Sequence, residues 1–293
     1  MGQQQFNEAI DELFEATQNK LPQYYGRLTR ANDRARLMVE DILAKHAGPD
    51  SVVPRNKSAA VTRELQQVES QVYRDIRSEL QRMFEEAAFA QSSGLALAVS
   101  GALDVAALLA VAGIAQAYAE SASYLLAALI GKPTEEFTSS LSKAPFNRKD
   151  SDGLQLNDRL RDIARTTTRQ VASTLRKSIR NGEVTSRMNR KVARDFNSLA
   201  WRLKTIVETE TLYLHRNAIG MFAELTDITR GVKIVDYPHG KPGEHERHKC
   251  HIYAHQNEHG LGEGVYPPGT RKIRHPHPRC RSTLHLELVR RLK

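Results

Sequence analysis

Two apolar stripes keep helical spacing over so many turns that long packed helices are the only economical way to bury them. Val61, Leu65, Val68, Val72, Ile76, Leu80 and Met83 stand at intervals of 4-3-4-4-4-3, and Val192, Phe196, Leu199, Leu203, Ile206, Glu210, Tyr213 and Asn217 at 4-3-4-3-4-3-4. Side chains three and four apart share one face of a helix, so each run predicts a long helix packed along one side. In the second run the seam passes from apolar residues to Glu210 and Asn217. A carboxylate on a buried seam needs a partner, because an unpaired buried charge is costly, and a basic residue of the C-terminal loop is the expected one for Glu210.

The remaining chain divides around these stripes. Phe6, Ile10, Leu13, Phe14 and Thr17, then Leu28, Ala31, Ala35, Met38, Ile42 and Leu43 after Pro22, predict an N-terminal helical pair over 1–47. Gly48-Pro49-Asp50 and Val53-Pro54 make 48–57 a linker. Segment 58–131 holds the first long helix and then a small, apolar run over 94–131, without Lys or Arg until Lys132. A bilayer span takes about 20 apolar residues, so a membrane-inserting segment is one reading of 94–131. Asp104 and Glu120 interrupt the run, and Gly101 and Gly113 suit close helix packing, so a buried helical hairpin is the preferred one.

Lys132-Pro133 and Pro145 make 132–153 a second linker, and 154–230 holds two long basic helices separated at Asn181-Gly182. On the first of these, Arg161, Arg165, Arg169, Arg176, Lys177 and Arg180 are candidate contacts to DNA phosphates, although a charge run is more often a solvated face. After Gly231, Val232 to Tyr237 alternates as a strand, and 231–293 forms a C-terminal module that closes with a strand and a helical turn over 282–292. Only 6% of residues are aromatic, which favours packing through Ala, Leu and Val. With 43 Lys and Arg against 34 Asp and Glu, the net charge is +9. The excess lies in the C-terminal half, where a polyanionic or acidic neighbour would be met. The N-terminus has no basic stretch ahead of an apolar run, so no secretion signal is expected. No Walker loop, calcium loop, nucleophile elbow or internal repeat is found.

The chemistry is concentrated in 245–281. This stretch holds both cysteines, Cys250 and Cys280, and nine of the eleven histidines fall between His239 and His285. Zinc binds imidazole and thiolate in a tetrahedron and can staple a loop that has little core of its own. His277 and Cys280 form an H-x-x-C pair, and His248 flanks Cys250, so Cys250, Cys280, His277 and His248 are the candidate metal ligands. Solvated histidines around reduced thiols are the alternative. A disulfide is the least favoured state of two cysteines in a chain without an export signal. His245-Glu246-Arg247-His248 is one residue short of the H-E-x-x-H protease helix, and Gly260-x-Gly262-x-Gly264 lacks the strand and helix of a dinucleotide loop and reads as a turn.

Taken together, Glu208-Thr209-Glu210 with Asn217, the strand from Val232, Cys250, the loop from Gly264 to Gly269, and His277-Pro278-Arg279-Cys280-Arg281 resemble the C-terminal signature of phage head morphogenesis proteins. That family is the minor head proteins typified by the F protein of phage Mu. His-Pro-Arg-Cys-Arg is the most specific element. Cys250-His251-Ile252-Tyr253 stands where the family often has C-x-x-C, and Glu208 where it usually has Arg, so a histidine would here replace a family cysteine as ligand.

The resemblance implies a minor capsid protein, with no reaction of its own, inside the phage head at the portal vertex. It would be assembled in the host bacterial cytoplasm, in one or several copies, and act in head morphogenesis, DNA packaging or DNA ejection. Its implied partners are the portal protein, the major capsid protein and packaged DNA, with structural zinc as the cofactor. The expected fold is mainly α, an elongated long-helix body with a small α+β C-terminal module of one short strand and a zinc-type loop. Two other functions remain: a metal-dependent nuclease or hydrolase with His277, His248 and Glu210 around an open metal position, and an ejected protein that enters membranes through 94–131.

Overall fold

The computed structural model describes residues 3–101, 115–150, 152–237 and 245–289. Among these the chain is mainly helical, with long helices and a small three-stranded antiparallel sheet near the C-terminus. Helices α1 (Gln3–His46), α2 (Ser58–Gly101), α3 (Ala115–Ile130), α4 (Thr134–Asn147), α5 (Leu156–Arg180) and α6 (Thr185–Leu225) precede strand β1 (Thr229–Val235). A one-turn helix α7 (Lys249–Ala254) and strands β2 (Val265–Tyr266) and β3 (Thr283–Leu288) complete the order.

Two expectations about where helices end are corrected. Helix α1 runs through Pro22 without a break, so 1–47 holds one helix and not a pair. Proline removes one backbone donor, but here Leu21 and Tyr24 on either side are buried, and their packing outweighs the lost bond. The second difference is α4, which occupies most of the expected 132–153 linker. It buries Phe137, Leu141 and Pro145, four residues apart, while Glu135 and Glu136 favour its N-terminal end.

Residues cluster into two compact units drawn from separated stretches, one from 1–21, 84–145 and 208–293, the other from 22–83 and 146–207. The second unit is helical and built on the predicted stripes. Val61, Leu65, Val68, Val72, Ile76, Leu80 and Met83 are all buried, as are Val192, Phe196, Leu199 and Leu203. Each large side chain so enclosed contributes roughly 1.5–3 kcal/mol. Helix α5 begins with a reciprocal cap, in which the Gln155 side chain accepts from the backbone at Asp158 and the Asp158 carboxylate accepts from the Gln155 N–H at 3.1 Å. At the other end Gly182, with φ +65°, turns the chain into α6.

The first unit contains the sheet. Its order is β2-β1-β3, with Val232 opposite both Tyr266 and Leu286. Gly231 on β1 is required by close approach, since a Cβ there would lie 2.7 Å from Val265 Cγ1. The free edge of β3 is covered by α1: Asn7 donates to the Leu286 carbonyl at 3.3 Å and accepts from the Leu286 N–H at 3.0 Å. Asp11 and His285 pair alongside at 2.8 Å, so polar side chains occupy an edge that would otherwise invite another strand.

Within this unit α6 is buried almost all round from Ile206 to Ala223. It therefore carries a buried polar chain in addition to its seam. Thr283 hydroxyl and His215 Nε2 lie 3.1 Å apart, and His215 Nδ1 lies 3.0 Å from Gln91 Oε1. Gln91 Nε2 donates to Thr17 Oγ1 at 2.6 Å, and Thr17 donates to the Leu13 carbonyl. Because the Gln91 amide nitrogen is committed to Thr17, its oxygen accepts from His215 Nδ1–H, and His215 Nε2 accepts from Thr283. Burial pushes the His215 pKa down to about 3, so the imidazole of this chain is neutral.

No helix of the described residues is long and apolar enough to cross a membrane. The centre of the apolar 94–131 run, residues 102–114, lies outside the described residues.

Candidate metal centre

Two local elements bring the candidate ligands together. His248 and Cys250 sit at the start of α7, and the loop between β2 and β3 carries His277 and Cys280 to it. The ligand atoms of His248, Cys250 and His277 lie within 4.8 Å of one another. Cys250 Sγ is 3.0 Å from His277 Nε2, and the rings of His248 and His277 are 4.9 Å apart. The Cys280 thiol interacts with both Cys250 and His277, and Ser282 Oγ lies 2.9 Å from its sulfur. Three of the four residues chosen from the sequence thus share one cluster, and Cys280 adjoins it through Cys250 and His277. An ion with tetrahedral bonds of about 2.3 Å to sulfur and 2.0–2.1 Å to nitrogen needs donors about 3.5 Å apart.

The electrostatics of the pair suit a cation. Both cysteines are free and fully buried. Hydrogen bonding from Cys250 holds the Cys280 thiol far below its ordinary range, with the Arg216 guanidinium and His277 adding to the effect against the cost of burial. Cys250 is pushed up by the same hydrogen bond, by burial and by the neighbouring sulfur charge. Burial acts to lower the His277 pKa, but the Cys280 sulfur more than offsets it and the net shift is upward. These directions place the negative charge on Cys280, the form in which a sulfur binds a divalent ion.

Around the cluster the loop is fastened to α6. Arg216, fully buried, donates from Nε to the Arg274 carbonyl at 2.8 Å and from Nη1 to the carbonyls of Cys280 and Ser282 at 2.8 and 3.0 Å. Arg279 Nε meets Glu208 Oε2 at 2.7 Å, and Arg281 approaches the other Glu208 oxygen at 3.5 Å. Arg279 has φ +55°, a conformation that costs a non-glycine residue about 1–3 kcal/mol, and its N–H donates to Thr209 Oγ1 at 3.1 Å. Arg274 spans Asn217 Oδ1, the Gly220 carbonyl and Glu224, and its side chain fits because residue 220 has no Cβ.

Of the two predicted seam residues, Asn217 thus holds a loop arginine, while Glu210, two turns earlier on α6, is buried. The carboxylate that grips Arg279 and Arg281 is Glu208, two places before Glu210. Arg216 and Arg274 were not singled out in the sequence, because Arg216 lies off the α6 stripe and Arg274 stands among the other basic residues of the loop. The signal for the anchor at Glu208 was the polar run from Glu208 to Thr211, which follows directly on the apolar Ile206 and Val207.

The remaining predicted residues fall elsewhere. Arg161, Arg165, Arg169, Arg176, Lys177 and Arg180 are all exposed on α5. Arg161 lies over the Tyr73 ring at 5.4 Å, beside a groove also lined by Arg74 and Arg77. His239 lies outside the described residues. His245-Glu246-Arg247 forms a short 3₁₀ turn, so no protease helix is present there, and Gly260, Gly262 and Gly264 all take positive φ as a turn requires.

The chain matches no protein-family model, no curated protein and no solved structure.

Proposed function

We propose that this chain is a structural component of a phage head, a minor head protein whose C-terminal module is stapled by zinc through His248, Cys250, His277 and Cys280. The observation that supports the structural role is the donor set: two buried thiols beside two half-buried imidazoles offer four protein donors, which would leave an ion no open position for a substrate. Four protein ligands close a zinc site, whereas a hydrolytic zinc keeps one position for water. The polar groups of His-Pro-Arg-Cys-Arg also have fastening roles, with Arg279 and Arg281 on Glu208 and the Cys280 carbonyl on Arg216. Zinc there supplies folding free energy to a loop with few apolar side chains.

The phage assignment rests on the resemblance of that motif and its spacing. On this reading the protein sits in low copy at the portal vertex, with the exposed arginine face of α5 toward packaged DNA or an acidic capsid surface. The test is to tag the chain in the phage that encodes it and to sediment the particles. Co-sedimentation with DNA-filled heads is expected, and recovery only as free protein overturns the assignment.

A further inference from the structure

The geometry points to a second metal site, facing solvent and built from Asp236, His251 and His255. Helix α7 has two working sides. Cys250 points into the buried cluster, while the next residue, His251, and His255 one turn on sit at the surface with Asp236, which follows β1. The ligand atoms of these three lie within 4.8 Å of one another. His251 Nδ1 is 2.7 Å from Asp236 Oδ2, and the two imidazole rings are 4.4 Å apart.

The arrangement is supported from behind as metal-binding imidazoles usually are. His255 Nδ1 is 2.7 Å from Glu263 Oε1, a contact that fixes the ring and leaves Nε2 as the nitrogen free for an ion. Glu263 is itself placed by the glycine turn, where Gly262 and Gly264 have φ +126° and +70°. Two imidazoles and one carboxylate, without thiolate, suit a divalent first-row ion such as zinc or cobalt and leave positions open to water or to a donor from outside the chain. Bonds of about 2.0–2.2 Å require donors roughly 3.3 Å apart. These side chains are partly exposed, so they can separate by that small distance without disturbing the core.

The test is a titration of the full, metal-free chain with cobalt(II). Two equivalents are expected, one with a sulfur-to-cobalt charge-transfer band and one with ligand-field bands alone. His255→Ala, at a half-exposed position, should lose the second equivalent and keep the first with its band unchanged. Glu263→Gln should retain both but weaken the second about 10- to 100-fold. Uptake of a thiolate-free equivalent by His255→Ala, or its absence from the unaltered chain, overturns the proposal. If the thiolate-bearing equivalent alone were missing, the buried staple would fail and this second site would stand.

Discussion

Gly264 and Gly260 offer a controlled comparison, because alanine at either position meets the same backbone penalty and only one meets a neighbour. Their φ angles are +70° and +68°. A Cβ at 260 has nothing within 4 Å, whereas one at 264 would lie 2.6 Å from the Ala254 carbonyl oxygen and 3.2 Å from its carbon. Left-handed backbone costs an alanine about 1–2 kcal/mol in both cases. The overlap at 264 is with backbone and has no side chain that can swing away. Gly264 is also held on both sides, its N–H donating to Gln256 and its carbonyl accepting from Ile234 at 3.0 Å. Relieving the clash therefore shifts α7 or β1 and adds about 1–3 kcal/mol. Urea unfolding should place Gly264→Ala below Gly260→Ala by that margin. Limited proteolysis should open the 245–281 loop in the first variant alone. Equal stabilities and equal digestion would refute the packing argument.

Glu208→Gln keeps the shape but removes the charge that Arg279 and Arg281 share, and the loss should be about 1–3 kcal/mol with faster cleavage near Arg279; an unchanged midpoint would mean that the pair is not a fastening. His215 has a folded pKa near 3 against an ordinary 6.5, so the unfolded state binds the extra proton. Its stabilisation is complete above about pH 6.5 and is lost progressively as pH falls toward 3, with about 2 kcal/mol gone between pH 7 and pH 5. His215→Gln should flatten that part of the stability profile, and identical slopes for the two proteins would contradict the neutral-imidazole network.

The stripes were legible because one-sided burial leaves a period, and every apolar position named from Val61 to Met83 is buried. The same rule explains what was missed. Helix α4 presents only Phe137, Leu141 and Pro145 to its core, too few for a pattern in a segment that also contains Pro and Ser. The two-residue β2 is held by its partner β1 and not by any alternation of its own. In α6, enclosure on all sides erases the period, so Arg216 and Glu208 look like solvent residues in sequence while carrying the loop. The gathering of His248, Cys250 and His277 was legible from the crowding of soft donors in the sequence alone. Asp236 was not, because a lone carboxylate after a strand shows nothing until α7 is folded beside it.

The central claim is that Cys250 and Cys280, with His248 and His277, close around one ion and thereby order the C-terminal module. Elemental analysis of purified full-length protein after gel filtration in a mild chelator tests it most directly, with Cys280→Ser measured beside it. The account predicts one tightly held zinc per chain, absent from the variant, whose C-terminal module becomes protease-sensitive. A chain that retains no zinc, or a variant with the same metal content and digestion pattern, would contradict it.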